Sequence, residues 1–401
     1  MTSESKPLIF RILEAFSSPR AFRYACSWHW HYYWHRYIGE LRLALNWFWR
    51  DRPRVYFAFY MNRDQTLIPA TQVFHPADKY YVTRPPVHYT HYRLADVCHF
   101  FNGVPEWNTK PFVVEFEHVL ALGGFIADWQ YSLQRTVYIH DIIASPLCRL
   151  ALAQCRAVMR HSLRYITDES LHKKFDYLYQ GYPSQPTRVM DMTGPFSILT
   201  IATRFYDKGV PIALKVFQVL RQRYPARVRM TLVCDVIPTD WPIPEGVTVL
   251  TDRPLSDAMK AQLFGQAHAF FLPMLSEGAT CLIEAYAYGT PVVTTRIVYG
   301  DELVQPGATG FLVDPPFYSH EGVGTRWKTW EDFVTCCKES YEQGDCDRLI
   351  EQCVDCLDHM IRGDVDIRRM SSAAQQFHRE TFSLEAHNSR LREIYRRVAG
   401  S

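Results

Sequence analysis

The sequence predicts an α/β chain of two open-sheet units, and three observations carry that prediction. Past Arg52-Pro53, short apolar runs alternate with helical stretches. A segment rich in Pro, Gly and Ser, GYPSQPTRVMDMTGP (181–195), then interrupts the pattern. After it, strand and helix alternate again, more regularly. Such alternation builds a parallel sheet covered on both faces, the Rossmann-like arrangement. Two units joined by a linker leave a central cleft, a common place for ligands. The expected organisation is an aromatic extension over 1–50, a first Rossmann-like unit over 51–185, a second over 190–375 and a closing helix over 376–401.

In the first unit VYFAFYM (55–61), FVVEFE (112–117) and YIHDIIA (138–144) read as strands, and CRLALAQCRAVMRHSL (148–163) as a helix. In the second, strands are expected at 196–202, 228–236, 247–251, 269–274, 291–295 and 310–314. Helices fall between them at 212–224, 256–267 and 280–288. From Trp327 onward the chain reads as mostly helical, closing with FSLEAHNSRLREIYRRV.

Composition bounds the class. With 47% hydrophobic and 21% charged residues the chain is globular and not a disordered one. No apolar run reaches the roughly 18 residues that span a bilayer, and the first residues lack a signal-peptide pattern, so the expectation is a cytoplasmic protein. Residues 1–54 carry a balance of +5 and the remainder −3, so basic charge gathers on the extension. That distribution argues against nucleic acid as a partner. The extension holds Trp28, Trp30, Trp34, Trp47 and Trp49 among histidines and arginines, with apolar residues at helical spacing. Two readings stay open for residues 20–50: peripheral binding to a membrane surface, or packing on this protein or a protein partner. Cys336, Cys337, Cys346, Cys353 and Cys356 crowd one helical stretch; they read as small apolar filler, or as zinc ligands with His359.

The stretch that carries chemistry is SEGATCLIEAYAYGTPVV (276–293). AFFLPM delivers the chain to the carboxyl edge of a parallel sheet, where ligands of such folds bind. Ser276, Glu277 and Gly278 form a turn, and Gly278 permits close backbone approach. The helix opening at Ala279 and Thr280 aims free N–H groups at the same spot, a seat for phosphate. Carboxylates there suit neutral hydroxyls, with Glu284 fitting a ribose diol and Glu277 a transferred sugar; the plainer alternative is a helix-surface and a loop carboxylate.

This stretch resembles the donor-binding signature of glycosyltransferase family 4, retaining enzymes of the GT-B fold, in which a Ser/Glu/Gly turn leads to a helix ending in EA…G.PVV. The resemblance extends to Glu302 in YGDELV, to PGATGFLV (306–313), and to the lead-in VTVLTDRPLSDAMKAQLFGQAHAFFLPML, where His268 stands in the usual place of Asp. It covers about 196–398 and fades over 55–190. It implies a GT-B architecture whose final helix crosses back to the first lobe, and a nucleotide-diphosphate sugar as substrate. Arg204 and Lys208, in TIATRFYDKGV, match the family's diphosphate-binding Arg and Lys in kind, although Thr203 replaces a glycine and the spacing is shorter. Only six residues separate Glu277 from Glu284 where the family has seven, so either the turn is shorter or Ser276 takes the first position. His118, with Glu117 beside it, is nominated as the N-lobe catalytic residue, and His140-Asp141 is the weaker candidate.

The resemblance thus implies a retaining glycosyltransferase that moves a sugar to a glycan, lipid-linked or other acceptor. His118 and Glu277 would act on the sugar; Arg204, Lys208, Ser276, Gly278, Ala279, Thr280 and Glu284 would bind the donor. No cofactor and no metal are expected. Two alternatives stay open, a nucleotide-sugar epimerase and a catalytically silent GT-B scaffold subunit.

Overall fold

The computed structural model describes residues 55–59, 96–104, 108–123, 129–251, 255–278, 280–323 and 326–399. The aromatic extension, with its two readings, and Ala279 lie outside the described residues.

Two all-parallel sheets organise the chain. The first has strand order β1-β2-β3-β4-β5: Val55–Phe59, Val97–Phe101, Phe112–Phe116, Cys148–Ala153 and Phe175–Tyr177. The second comprises β6 (Phe196–Ala202), β7 (Val228–Cys234), β8 (Val247–Leu250), β9 (Ala269–Leu272), β10 (Val292–Thr295) and β11 (Gly310–Val313). Its order is β11-β10-β9-β6-β7-β8. Every residue of β6, β9 and β10 is buried, as strands of a parallel sheet covered on both faces should be. Strand order reverses between β6 and β9, and beyond the carboxyl ends of strands at such a switch point open α/β sheets bind ligands.

Eleven described α-helices flank these sheets. The first lobe carries α1 (Trp129–Gln134), α2 (Thr136–Ala144) and α3 (Arg156–Ser162). The second carries α4 (Val210–Arg223), α5 (Asp257–Gln266), α6 (Thr280–Ala287), α7 (Gly300–Leu303), α8 (Trp330–Glu342), α9 (Asp347–Arg362) and α10 (Ile367–Phe377). Helix α11 (Leu384–Ala399) returns to the first sheet, where Leu391, Ile394, Tyr395 and Val398 cluster with Val97, Val113, Leu150 and Leu152. Asp176 of β5 pairs with Arg390 at 2.8 Å and Arg397 at 3.0 Å, and Tyr395 meets buried His99 at 2.5 Å.

Two expectations for the first lobe are corrected. YIHDIIA is helical within α2, because Ile139, Ile142 and Ile143 fall on one buried face at the 3.6-residue period. CRLALA is the interior strand β4, not the start of a helix; the helix begins only at Arg156, after Cys155 caps it. A six-residue apolar run carries no period that separates strand from helix, and here its place between β3 and β5 decides. Strands β2 and β5 also went unread.

Cys337, Cys346 and Cys353 lie in the apolar cluster beside the second sheet, and burial pushes the Cys346 thiol up to about 12. His359 faces Asp364 at 2.9 Å, and among the described residues no three His, Cys, Asp or Glu side chains gather as a metal set. No described helix is long and apolar enough to cross a membrane.

Candidate active site

The loops that leave β6 and β9 meet at the switch point and are locked together. Leu275 and Ser276 both donate their backbone N–H to the Asp207 carbonyl at 2.9 Å, and Ser276 Oγ donates to Asp207 Oδ2 at 2.7 Å. Gly209 shows why no other residue serves there. Its φ is +70°, and an added Cβ would lie 1.9 Å from the Pro273 carbonyl oxygen. This close approach brings Lys208 across the gap.

Lys208 Nζ donates to the Glu277 carbonyl, and a Cβ on Gly278 would come within 2.8 Å of that ammonium. The glycine thus leaves room for the cation. Lys208 is buried, which lowers its pKa, while neighbouring Asp207 pulls it back up.

Arg204 is placed differently from the expectation. Its Nε and Nη2 donate to Asp207 Oδ2 at 2.9 and 2.8 Å, and its guanidinium lies 4.6 Å from the centre of the Trp330 ring. A buried carboxylate and an aromatic face hold it, so it reaches Ser276 only through Asp207. Lys208 alone of the two touches the Glu277–Gly278 turn.

Of the residues flanking the turn, Ser276 is buried and spends its hydroxyl on Asp207. Glu277 keeps solvent contact and accepts a bond from Tyr299 Oη at 3.0 Å. The shortened turn therefore presents Glu277, and not Ser276, to the opposite lobe. Desolvation raises the Glu277 carboxyl to about 7; Tyr299 and Lys208 pull it down and Glu117 pushes it up.

Glu117 belongs to the first lobe, at the carboxyl end of β3, as does His118. Glu117 is exposed to solvent, yet the protein crowded around it raises its pKa, with Glu115 adding to the shift and Lys208 opposing it. His118 is buried against His161 and Tyr165, with ring centroids 5.3 and 5.5 Å away, and its Nδ1 accepts from Leu120 N at 3.2 Å. Burial, aided by His161 and His320, pushes it down to about 3, so the imidazole is neutral at physiological pH. Tyr165 feels the Glu277 charge in turn. First-lobe and second-lobe groups nominated on sequence thus share one electrostatic neighbourhood. His140 and Asp141 instead pair with each other, 3.9 Å apart, on the outer side of α2.

The remaining nominees lie along α6. Thr280 Oγ1 donates to Gln180 Oε1 at 2.7 Å, tying the helix start to the residue just before the linker. Glu284 is buried and pairs with Lys260 Nζ of α5 at 2.6 Å. Glu302 of α7 spends its carboxylate between the lobes, accepting from Arg156 N at 2.9 Å and Tyr179 Oη at 3.0 Å. Tyr299, Asp207, Trp330 and Lys260 were missed on sequence. Asp207, Tyr299 and Lys260 stand inside the quoted TRFYDKG, YGDELV and SDAMKAQLFG without a spacing that singles them out, and Trp330 carries no local signal.

Comparisons with known proteins follow this geometry. Residues 196–319 match the family model of Glycosyl transferases group 1. No curated protein matches the chain. Among solved structures, a glycosyltransferase from Rickettsia africae superposes with a TM-score of 0.55 at 13% identity, covering 87% of this chain and 99% of that one. HepE of Anabaena, solved with UDP and glucose, gives 0.54 at 14% identity over 85% and 99%. The fold is GT-B. In this GT-B chain the two sheets supply the two Rossmann-like lobes, and the matched region spans β6 to β11, including the Lys208 and Glu277 loops. Sucrose-phosphate synthase from Thermosynechococcus elongatus shares the GT-B likeness at a TM-score of 0.51 and 13% identity, over 77% of this chain and 75% of that one.

Proposed function

We propose that the chain is a retaining glycosyltransferase of the family 4 type, moving a sugar from a nucleoside-diphosphate sugar to a hydroxyl-bearing acceptor. The observation that carries the reading is the Lys208 ammonium, held against Glu277 and Gly278 at the switch point of the matched domain. A diphosphate seated there meets this cation and the free N–H groups of α6, with Arg204 contributing to the field. Charge compensation of this kind asks for no metal. Glu284 holds the ribose, Glu277 the transferred sugar, and neutral His118 polarises or positions and does not attack. UDP-sugars are the first donors to test, since HepE has been solved with UDP-glucose.

Thermal denaturation against a panel of nucleotide sugars tests the reading. A donor at 100 times its dissociation constant adds about 2.7 kcal/mol to stability, and the true donor should also release nucleoside diphosphate. Binding without release favours a silent GT-B scaffold, a reading that draws on the engagement of Arg204 by Asp207 and of Glu284 by Lys260. No stabilisation by any donor sinks both.

The Glu277 carboxyl adds a pH dependence with a definite sign. Its raised pKa keeps it protonated below about 7, where it cannot accept two sugar hydroxyls as a carboxylate does. The preference for UDP-glucose over UDP should therefore grow as pH rises from 6 to 8, and Glu277→Gln should flatten the curve. Calorimetric titration at several pH values reads it. A level preference in the unaltered protein counts against this role.

A further inference from the structure

We propose that Lys260 is a positioning residue of the nucleoside subsite, which holds Glu284 in the one orientation that tells a ribose from a deoxyribose. The inference rests on the assignment of Glu284 to the ribose, and goes beyond it by naming the group that orients the carboxylate. Lys260 and Glu284 come from adjacent helices, α5 and α6, 24 residues apart in sequence. Helix α5 is anchored at its start by Ser256, whose Oγ accepts from Met259 N at 3.2 Å. Lys260 thus approaches from a fixed base.

The ammonium engages only Glu284 Oε1, at 2.6 Å; among the described residues Oε2 makes no hydrogen bond. One oxygen is clamped and the other is offered. The side chains are only 21% and 10% exposed, so the pair is set into the surface rather than swinging in solvent. Tyr182 of the linker stands beside it, with its ring centre 6.0 Å from the ammonium, and Tyr182 bonds in turn to Tyr288. Tyr288 in turn stacks on Phe264 of α5, with ring centres 5.1 Å apart, so both rings border the pair on the α5 side.

Two consequences follow from this geometry. Glu284 sits on the helix whose N–H groups face the diphosphate, and an uncompensated carboxylate there would repel the ligand. Lys260 cancels that charge before the nucleotide arrives. Its clamp also stops the carboxylate from turning, so Oε2 is aimed at a ribose hydroxyl. A 2′-deoxy nucleotide offers that oxygen no hydroxyl and binds less well. Without Lys260 the carboxylate turns to find water, and this discrimination fades.

Calorimetry with UDP, ADP and GDP, each beside its 2′-deoxy form, tests the proposal. The unaltered protein should prefer the ribonucleotide about tenfold or more. Lys260→Met should reduce the preference to about threefold or less, and Lys260→Arg should preserve it. A merely structural lysine would lower both affinities together and leave their ratio intact. Should Lys260→Met fail to fold, Lys260→Gln, which keeps a donor without the charge, takes its place with the same expected fall. A ratio unmoved in the lysine variants but abolished by Glu284→Gln overturns the role of Lys260 alone. Equal binding of the two forms by the unaltered protein overturns it together with the ribose assignment. Absence of binding by every nucleotide instead overturns the glycosyltransferase reading on which it stands.

Discussion

Lys208→Ala is expected to lower turnover by on the order of 100-fold or more while weakening donor binding far less. Negative charge on the leaving diphosphate grows as the glycosidic bond breaks, so a fixed cation beside it acts more strongly in the transition state than in the ground state. The proposed function gives Lys208 that place. It is buried, it is held by the Glu277 carbonyl, and Asp207 on the preceding residue sustains its charge against desolvation. Removal of one preorganised oxyanion donor in other enzymes costs about 10² to 10³ in turnover. Steady-state kinetics beside calorimetric donor binding separates the two effects. A parallel fall in binding and turnover would mean that Lys208 only holds the donor. Arg204→Ala should do less, because Asp207 and Trp330 already occupy its guanidinium.

Glu284→Ala should weaken nucleotide-sugar binding by about 1.5–3 kcal/mol, the usual worth of a hydrogen bond to a charged group, or roughly ten- to a hundredfold in dissociation constant. The loss should sit in affinity, since the ribose is remote from the breaking bond and is held alike in ground and transition states. The variant also leaves Lys260, only 21% exposed, without its partner. A modest drop in melting temperature should therefore accompany the binding defect. Donor affinity unchanged in a folded variant would remove Glu284 from the site.

How much could be read beforehand depended on the range of the interaction responsible. Strands β6, β9 and β10 were legible because two-faced burial favours short runs rich in apolar and β-branched residues. In the first lobe, CRLALA and YIHDIIA are equally apolar, and only their neighbours assign one to a sheet and the other to a helix. The site divides the same way. Glu277 and Gly278 are legible in the turn that follows β9, and Lys208 in the family resemblance carried by TIATRFYDKGV. The diversion of Arg204 requires Trp330, more than a hundred residues later, and the clamp on Glu284 requires two helices to lie side by side. Nothing local announces either. The departure in glutamate spacing was visible, but only the bond from Ser276 to Asp207 shows which side chain the shortened turn presents.

The return of α11 to the first sheet bears on the order in which the molecule can be assembled. His99 and Tyr395, in contact, are 296 residues apart, and the faces of Val97, Val113, Leu150 and Leu152 are covered by residues beyond 390. During synthesis the first lobe therefore emerges before the helix that packs on these residues, and that contact waits for almost all of the second lobe to be made. The lobe made first is finished last. Ribosome-bound chains stopped before Leu384 should expose that apolar face to chaperones, and loss of the helix should be felt by the first lobe rather than by the second lobe from which the helix departs.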